Sequence, residues 1–276
     1  MAVSHFLPEG PWILALDRTN WQFGDQDINI LTLSVVTGGI AVPLFMQFLE
    51  KRENSNTAER QQILRLFLDT FSAGKIQALL ADRKFIGDAW TQWLSDQHIP
   101  FVLRVKKDQT VLHPTGQKTT VSKWMTAKKN LIQKTYVAGV RCHLAVKTLP
   151  SKEFLAVIAS PELEDPLALY SFRWDIETMF KGFKSNGFQL EETHVKNLDR
   201  LKKLTLLLAI AFAIAVKTGQ VQHQRRPIPF RITVQTKLYS WFRYGLDFLT
   251  SFLQSPSKNK TFILKNIFQI QSFNST

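Results

Sequence analysis

The residues most able to do chemistry stand in "YSFRWDIETMFKGFKSNGF", residues 170–188, where Tyr170, Arg173, Glu177 and Lys184 are spaced by three, four and seven. At about 100° per residue, a helix would hold these four side chains on one strip about 60° wide. Phe172, Ile176, Met179 and Phe183 fall on the far side and predict a greasy face for the core. A solvated face opposite a buried one gives the same pattern, so the strip matters only if other reactive groups converge on it. Two upstream apolar runs end in a carboxylate, "PWILALD" at Asp17 and "KIQALLAD" at Asp82. Each reads as a buried strand, and neighbouring strands would bring both acids to the carboxyl edge of one sheet. Glu177 would join them there. Three such carboxylates suit two Mg²⁺ ions, hard cations that prefer oxygen ligands. A metal pair of that kind activates a water or 3′-hydroxyl for in-line phosphoryl displacement. Taken singly, each acid is better explained as a helix cap or a solvated strand end.

The elements that must position these groups follow from the pattern of apolar residues. After the strand at 11–17 come "NILTLSVV" (29–36) and "AVPLFMQFL" (41–49), joined by Thr37, Gly38 and Gly39 in a hairpin turn. A helix is predicted over 56–71, with Asn56 or Thr57 at its N-cap and Glu59 in the first turn. The strand at 75–82, a short helix at 87–98 and a strand at 100–106 complete the order. That order predicts an α/β fold with a ribonuclease-H-like mixed-sheet core. Residues 107–160 are strand-rich, lysine-heavy and punctuated by turns, which predicts a β-rich insertion between the second and third acids. A long helix is predicted over 198–219, ending near Gly219, and a last helical stretch over 236–254; the tail, "NIFQIQSFNST", is expected to fray. The resulting division is core at 1–106 and 161–219, insertion at 107–160, and a helical C-terminal region with its tail at 220–276.

Composition bounds the partners. The chain has 276 residues, a hydrophobic content of 45% and a formal charge of +13. It can bury a large core, and its positive excess favours a polyanionic partner, because basic groups displace the counterions condensed on phosphates. Cys142 is the single cysteine, which excludes an internal disulfide framework and a cysteine-based zinc cluster. The longest apolar run, Leu204 to Val216, is too short for the roughly 20 residues of a membrane span, so a buried core helix and a soluble, cytoplasmic protein are expected.

Three segments, in order, carry a resemblance. "LALDRTNWQFG", "LLADRKFIG" and "YSFRWDIETMFKGFKSNGFQLEETH" resemble the acidic motifs of the bacterial insertion-sequence DDE transposases of the "IS-four" family. Tyr170, Arg173, Glu177 and Lys184 match that family's Tyr-Arg-Glu-Lys signature at each position, and the similarity runs from about Leu7 to about Leu249, through "RYGLDFL". The resemblance implies a cut-and-paste DNA transposase that nicks the element end, forms a hairpin and transfers strands into target DNA. It implies that Asp17 bridges two Mg²⁺ ions, with Mn²⁺ as a substitute, while Asp82 and Glu177 each complete one. Arg173 and Lys184 would grip phosphates beside the scissile bond, and Tyr170 would donate a hydrogen bond there. A flipped base needs an aromatic platform, and Trp174 is the candidate, with core packing as the competing explanation. The implied partners are double-stranded DNA (terminal inverted repeats and target) and a second copy of the chain, in a bacterial, nucleoid-associated setting.

Two departures qualify the match. Lys84 stands where many relatives have Glu; alternation along an extended chain would place it on the same side as Asp82, with an exposed lysine in a loop as the stronger competing explanation. Relatives also carry an end-binding domain before the first acidic motif, whereas Asp17 lies near the start of this sequence. A truncated or fragmented transposase is therefore expected. The alternative is a non-catalytic remnant that binds DNA or full-length transposase and inhibits transposition.

Overall fold

A computed structural model describes residues 7–23, 26–49, 51, 53–112, 115–125, 131–137, 139–149, 153–184, 187–195, 197–231 and 236–254; the tail expected to fray lies outside them. The chain opens with three antiparallel strands, β1 (Trp12–Phe23), β2 (Gln26–Thr37) and β3 (Ile40–Leu49). Gly38 and Gly39 turn the second hairpin with φ of 58° and 81°, left-handed values that glycine adopts without steric cost. Strand β1 does not stop at Asp17 as its apolar run suggested. It continues for six residues because Thr19 and Trp21 point inward by period-two alternation, Trp21 being 1% exposed, and pair with Ile30 and Ile28.

Helix α1 (Thr57–Phe71) then crosses to β4 (Ile76–Ala81), and α2 (Asp88–Asp96) crosses to β5 (Phe101–Arg104). Each crossover sets its strand parallel to the one before it in the sheet, β4 beside β1 and β5 beside β4. A capping box fixes the start of α1: the Asn56 side chain accepts from the Glu59 amide, and the Glu59 carboxylate accepts from the Asn56 amide.

The segment from 107 to 160 supplies β6 (Thr110–Leu112), β7 (Lys118–Thr120), the short α3 (Val121–Met125), β8 (Leu131–Val137), β9 (Val140–Thr148) and β10 (Phe154–Ala159). These strands extend the same sheet, whose order is β3-β2-β1-β4-β5-β10-β9-β8-β6-β7. The β3-β2-β1-β4-β5 half is a large mixed sheet consistent with the ribonuclease-H-like core expected.

Beyond the sheet lie α4 (Pro166–Ser171), α5 (Trp174–Lys184), α6 (Leu198–Arg225), the two-residue strands β11 (Phe230–Arg231) and β12 (Thr236–Lys237), and α7 (Trp241–Gln254). Helix α6 is long and apolar enough to cross a membrane by length and composition, yet its buried face packs on β3 and α7. It does not end at Gly219. That glycine is buried in mid-helix, where a Cβ would stand 1.9 Å from the Trp241 carbonyl oxygen, and at Gly245 of α7 a Cβ would stand 1.8 Å from that of Ala215. Glycine here serves a close backbone approach and not a helix stop.

Gly245→Ala should therefore force α6 and α7 apart and lower stability by about 1–3 kcal/mol or more. Urea unfolding of the variant against the parent measures this, and an unchanged midpoint would refute the crossing as described.

Candidate active site

Strand register decides which side chains share a face. Asp17 of β1 lies opposite Thr32, two positions from the Ala15–Ser34 pair, and Ala15 is level with Leu80 of β4. Leu80 is level with Val102 of β5. Because alternate residues point the same way, Asp17, Asp82 and Arg104 continue one face of the sheet at its carboxyl edge. Helices α4 and α5 cover that face. Tyr170 of α4 packs with Ala78, Leu80 and Val102, and the Ser34 hydroxyl meets the sulfur of Met179 on α5 at 3.7 Å.

The stretch 170–188 is not one helix. Helix α4 ends at Ser171, α5 begins at Trp174, and the joint closes with i→i−3 bonds: Phe172 N–H to the Leu169 carbonyl, Arg173 N–H to that of Tyr170 and Ile176 N–H to that of Arg173. Such a tight 3₁₀ joint turns about 120° per residue, so the strip predicted at 100° does not survive intact. Ile176, Met179 and Phe183 keep the buried face, but Phe172 is turned out and 41% exposed. Trp174 beside it is 60% exposed, which removes core packing as its role. Tyr170 is 2% exposed, its hydroxyl buried without a hydrogen-bond partner. Burial pushes its pKa up to about 12, so the phenol stays protonated.

Arg173 occupies the centre of the site. It is 4% exposed. Its Nη1 lies 3.1 Å from Asp17 Oδ2 and its Nη2 2.5 Å from Glu177 Oε1. The guanidinium carbon lies 5.8 Å from the Tyr170 ring centroid and 5.6 Å from that of Trp174. Burial works against its charge, but Tyr170, Asp17 and Glu177 outweigh that, and its pKa lies above the ordinary arginine value. Burial pushes Asp17 up to about 6; Arg173 and the Arg18 amide N–H pull it down, while Asp82 and Glu177 add repulsion. Lys184 donates to the Asn20 carbonyl at 2.6 Å and pairs with Glu191 at 3.3 Å. It thereby ties the end of α5 to the extension of β1 beyond Asp17.

Asp82 begins a 3₁₀ turn, Arg83–Phe85, without capping it by its side chain. Lys84 sits inside that turn and is exposed, as the loop explanation for it expects. Arg104 stands 3.9 Å from Asp82 instead. Sequence reading missed Arg104, although a basic residue closing the strand parallel to β4 was its signal.

The donor set suits a hard divalent cation: three carboxylates, one buried Asp82 oxygen without a hydrogen bond, and an Asp17 carboxyl raised by burial and by its acidic neighbours. The arrangement is closed, however, on Arg173. Among the described residues no three acidic, histidine or cysteine side chains already stand close enough to hold a metal.

A family model described as "Transposase DDE domain" matches residues 8–214. No curated protein matches the chain. Among solved structures it is similar to an endonuclease V variant of Ciona intestinalis, in complex with a 23mer DNA containing an inosine followed by a ribo-adenosine. Identity is 8% and TM-score 0.31, over 63% of this chain and 87% of that one.

Asp175, in the first turn of α5, has a carboxyl pushed by burial up to about 6, and one of its oxygens lacks a hydrogen-bond partner. The folded carboxyl thus binds a proton more readily than the unfolded one, whose pKa is about 3.9. Its contribution to stability is greatest below pH ~4 and is lost as pH rises through about 6. Asp175→Asn should be more stable than the parent at neutral pH by about 1–2 kcal/mol, the gap closing below pH ~4. Urea unfolding across that range in chelator-treated buffer reads it directly.

Proposed function

The chain belongs to the transposase DDE-domain family, and on that premise we propose that it is the catalytic core of an insertion-sequence transposase of the "IS-four" type. It would act by cut-and-paste: end nicking, hairpin formation and strand transfer into target DNA. The observation that carries this reading is the tie from Asp17 on β1 through Arg173 to Glu177 on α5, with Asp82 at the end of the adjacent parallel strand.

Asp17, Asp82 and Glu177 would hold the divalent ions, two Mg²⁺ or Mn²⁺. Ions there supply Lewis acidity toward the attacking and leaving oxygens of a phosphodiester. Arg173 already balances two of those carboxylates, so in this reading it gives up Asp17 and Glu177 when DNA offers its own phosphates, to which a guanidinium binds in bidentate fashion. Trp174, exposed at the joint before α5, would stack on an unpaired base. Tyr170 would steady Arg173 from beneath, in ring contact at 5.8 Å, and Lys184 would reach phosphate from the neighbourhood of Asn20.

The partners in this reading are the element's double-stranded terminal inverted repeats, target DNA and a second copy of the chain, in the bacterial cytoplasm. The catalytic core would comprise 1–106 and 161–219, with 107–160 as an inserted subdomain and 220–276 as the C-terminal region.

The test is Mg²⁺- or Mn²⁺-dependent cleavage of DNA bearing the inverted repeats that flank the gene. Glu177→Gln should lower cleavage by about 100-fold or more while DNA affinity holds, and calorimetry should show weakened Mn²⁺ binding. Cutting at the parental rate would refute the carboxylate assignment. Lys184→Ala should weaken DNA binding and flatten its salt dependence by about one phosphate contact; unchanged affinity and rate would remove Lys184 from the DNA surface.

A further inference from the structure

Past the carboxyl ends of β4 and β5 lies a basic feature that the three acids do not use. A cleft of about 490 Å³ is lined by Arg83, Arg104, Lys106, Lys107, Glu153 and Phe154. With Asp108 also in the lining, four cations face two carboxylates. The walls are fixed by backbone bonds. The Val105 amide donates to the Ala156 carbonyl at 2.9 Å, the Gln109 amide to that of Lys106 at 3.1 Å, the Ser122 amide to that of Lys107 at 2.8 Å, and the Leu149 amide to that of Glu153 at 2.8 Å. The lysines therefore project from an anchored loop, and the entropy of ordering that loop is already spent before any ligand arrives.

Two further observations give the cleft a direction and a chemistry. Arg104 belongs to both the cleft and the site, since its Nη1 is 3.9 Å from Asp82. Helix α5 packs on β1, β2 and β3, whereas the cleft opens where β10 pairs with β5. The cleft thus lies on the flank of the acids away from Glu177. Phe154, at the start of β10, is 54% exposed, an apolar ring in water beside a row of cations. Phosphates would match the cations and an unstacked base would match the ring; a small inorganic anion would leave the ring unused.

We propose that this cleft is a subsite for the sugar-phosphate backbone of the DNA strand running away from the cleavage site on the Asp82 side, with Phe154 as a platform for one of its bases. The inference rests on the DNA reading given above. Lys106 and Lys107 contact phosphate, Arg104 links the track to the acids, and Phe154 adds affinity where the strand is unpaired.

The test is fluorescence anisotropy of a labelled duplex with a single-stranded extension, across a salt series, for the parent and variants matched in melting temperature. Lys106→Ala with Lys107→Ala should flatten the plot of log affinity against log salt by about two phosphate contacts, each worth about 0.9. Lys106→Arg with Lys107→Arg should restore it. Phe154→Ala should weaken binding of the extended duplex at least about fivefold and leave the slope alone. All of these variants should bind Mn²⁺ as the parent does, whereas Glu177→Gln should bind Mn²⁺ more weakly and keep the slope. A parental slope in the double-alanine variant, with parental binding intact, overturns the cleft and spares the wider reading. Absence of salt-dependent DNA binding in the parent overturns both.

Discussion

A guanidinium buried at the joint between two helices is the constraint on which the candidate site depends. Arg173 is almost fully enclosed, and a charge in that position is tolerated only with partners, since removing one member of a buried pair costs about 3–5 kcal/mol. One partner is local and one distant: Glu177 lies four residues on in the fifth helix, and Asp17 lies 156 positions back on the first strand. The ion pair therefore closes a long loop of chain around one point. It also eases a conflict, because burial and the repulsion of Asp82 and Glu177 raise the cost of ionising Asp17, and Arg173 offsets part of it. A side chain thus supplies the charge that balances Asp17 and Glu177.

The tight joint at Phe172 and Arg173 is what lets the arginine reach inward. In a straight helix Tyr170 and Glu177 would share one strip. The i→i−3 bonds at the joint instead turn Tyr170 down onto the strands and Phe172 out beside Trp174. Two exposed aromatic rings beside a buried cation that is paired with two acids form a surface with little purpose in packing. The same departure from ideal helix geometry thus supplies the internal counter-charge and the outward aromatics.

How much of this was legible in the sequence depends on how local each signal was. The capping box at Asn56 and the glycine turn at Gly38 and Gly39 were readable because neighbours in sequence determine them, and the alternation of strands and helices pointed to a mixed sheet. The continuation of β1 past Asp17 was missed because polar Arg18 and Asn20 interrupt the apolar run, while inward-facing Thr19 and Trp21 preserve the alternation. Gly219 was misread because a helix stop and a close helix crossing use the same residue, and only the partner backbone at Trp241 tells them apart. The pairing of Arg173 with Asp17 spans 156 positions, and no periodicity encodes it. The position of Arg104 beside Asp82 depended on a strand register that the sequence leaves open.

That register and those crossings explain why a segment as distant as "RYGLDFL" belongs to the same unit as the acids. Gly245 lets α7 press against α6 at Ala215 and Gly219. The approach sets Phe242 against Phe212, ring centroids 4.6 Å apart. Both rings meet α5 at Gly182, where a Cβ would stand 2.9 Å from Phe212 and 3.2 Å from Phe242. Glu177 lies little more than one turn before Gly182 on that helix. A side chain at Gly182 or a shift of α7 would tilt α5, and an interior packed to crystal density passes such a displacement on instead of absorbing it. The carboxylate on α5 is thus held from two sides: by charge, through Arg173 to β1, and by contact, through two phenylalanines to the C-terminal helices.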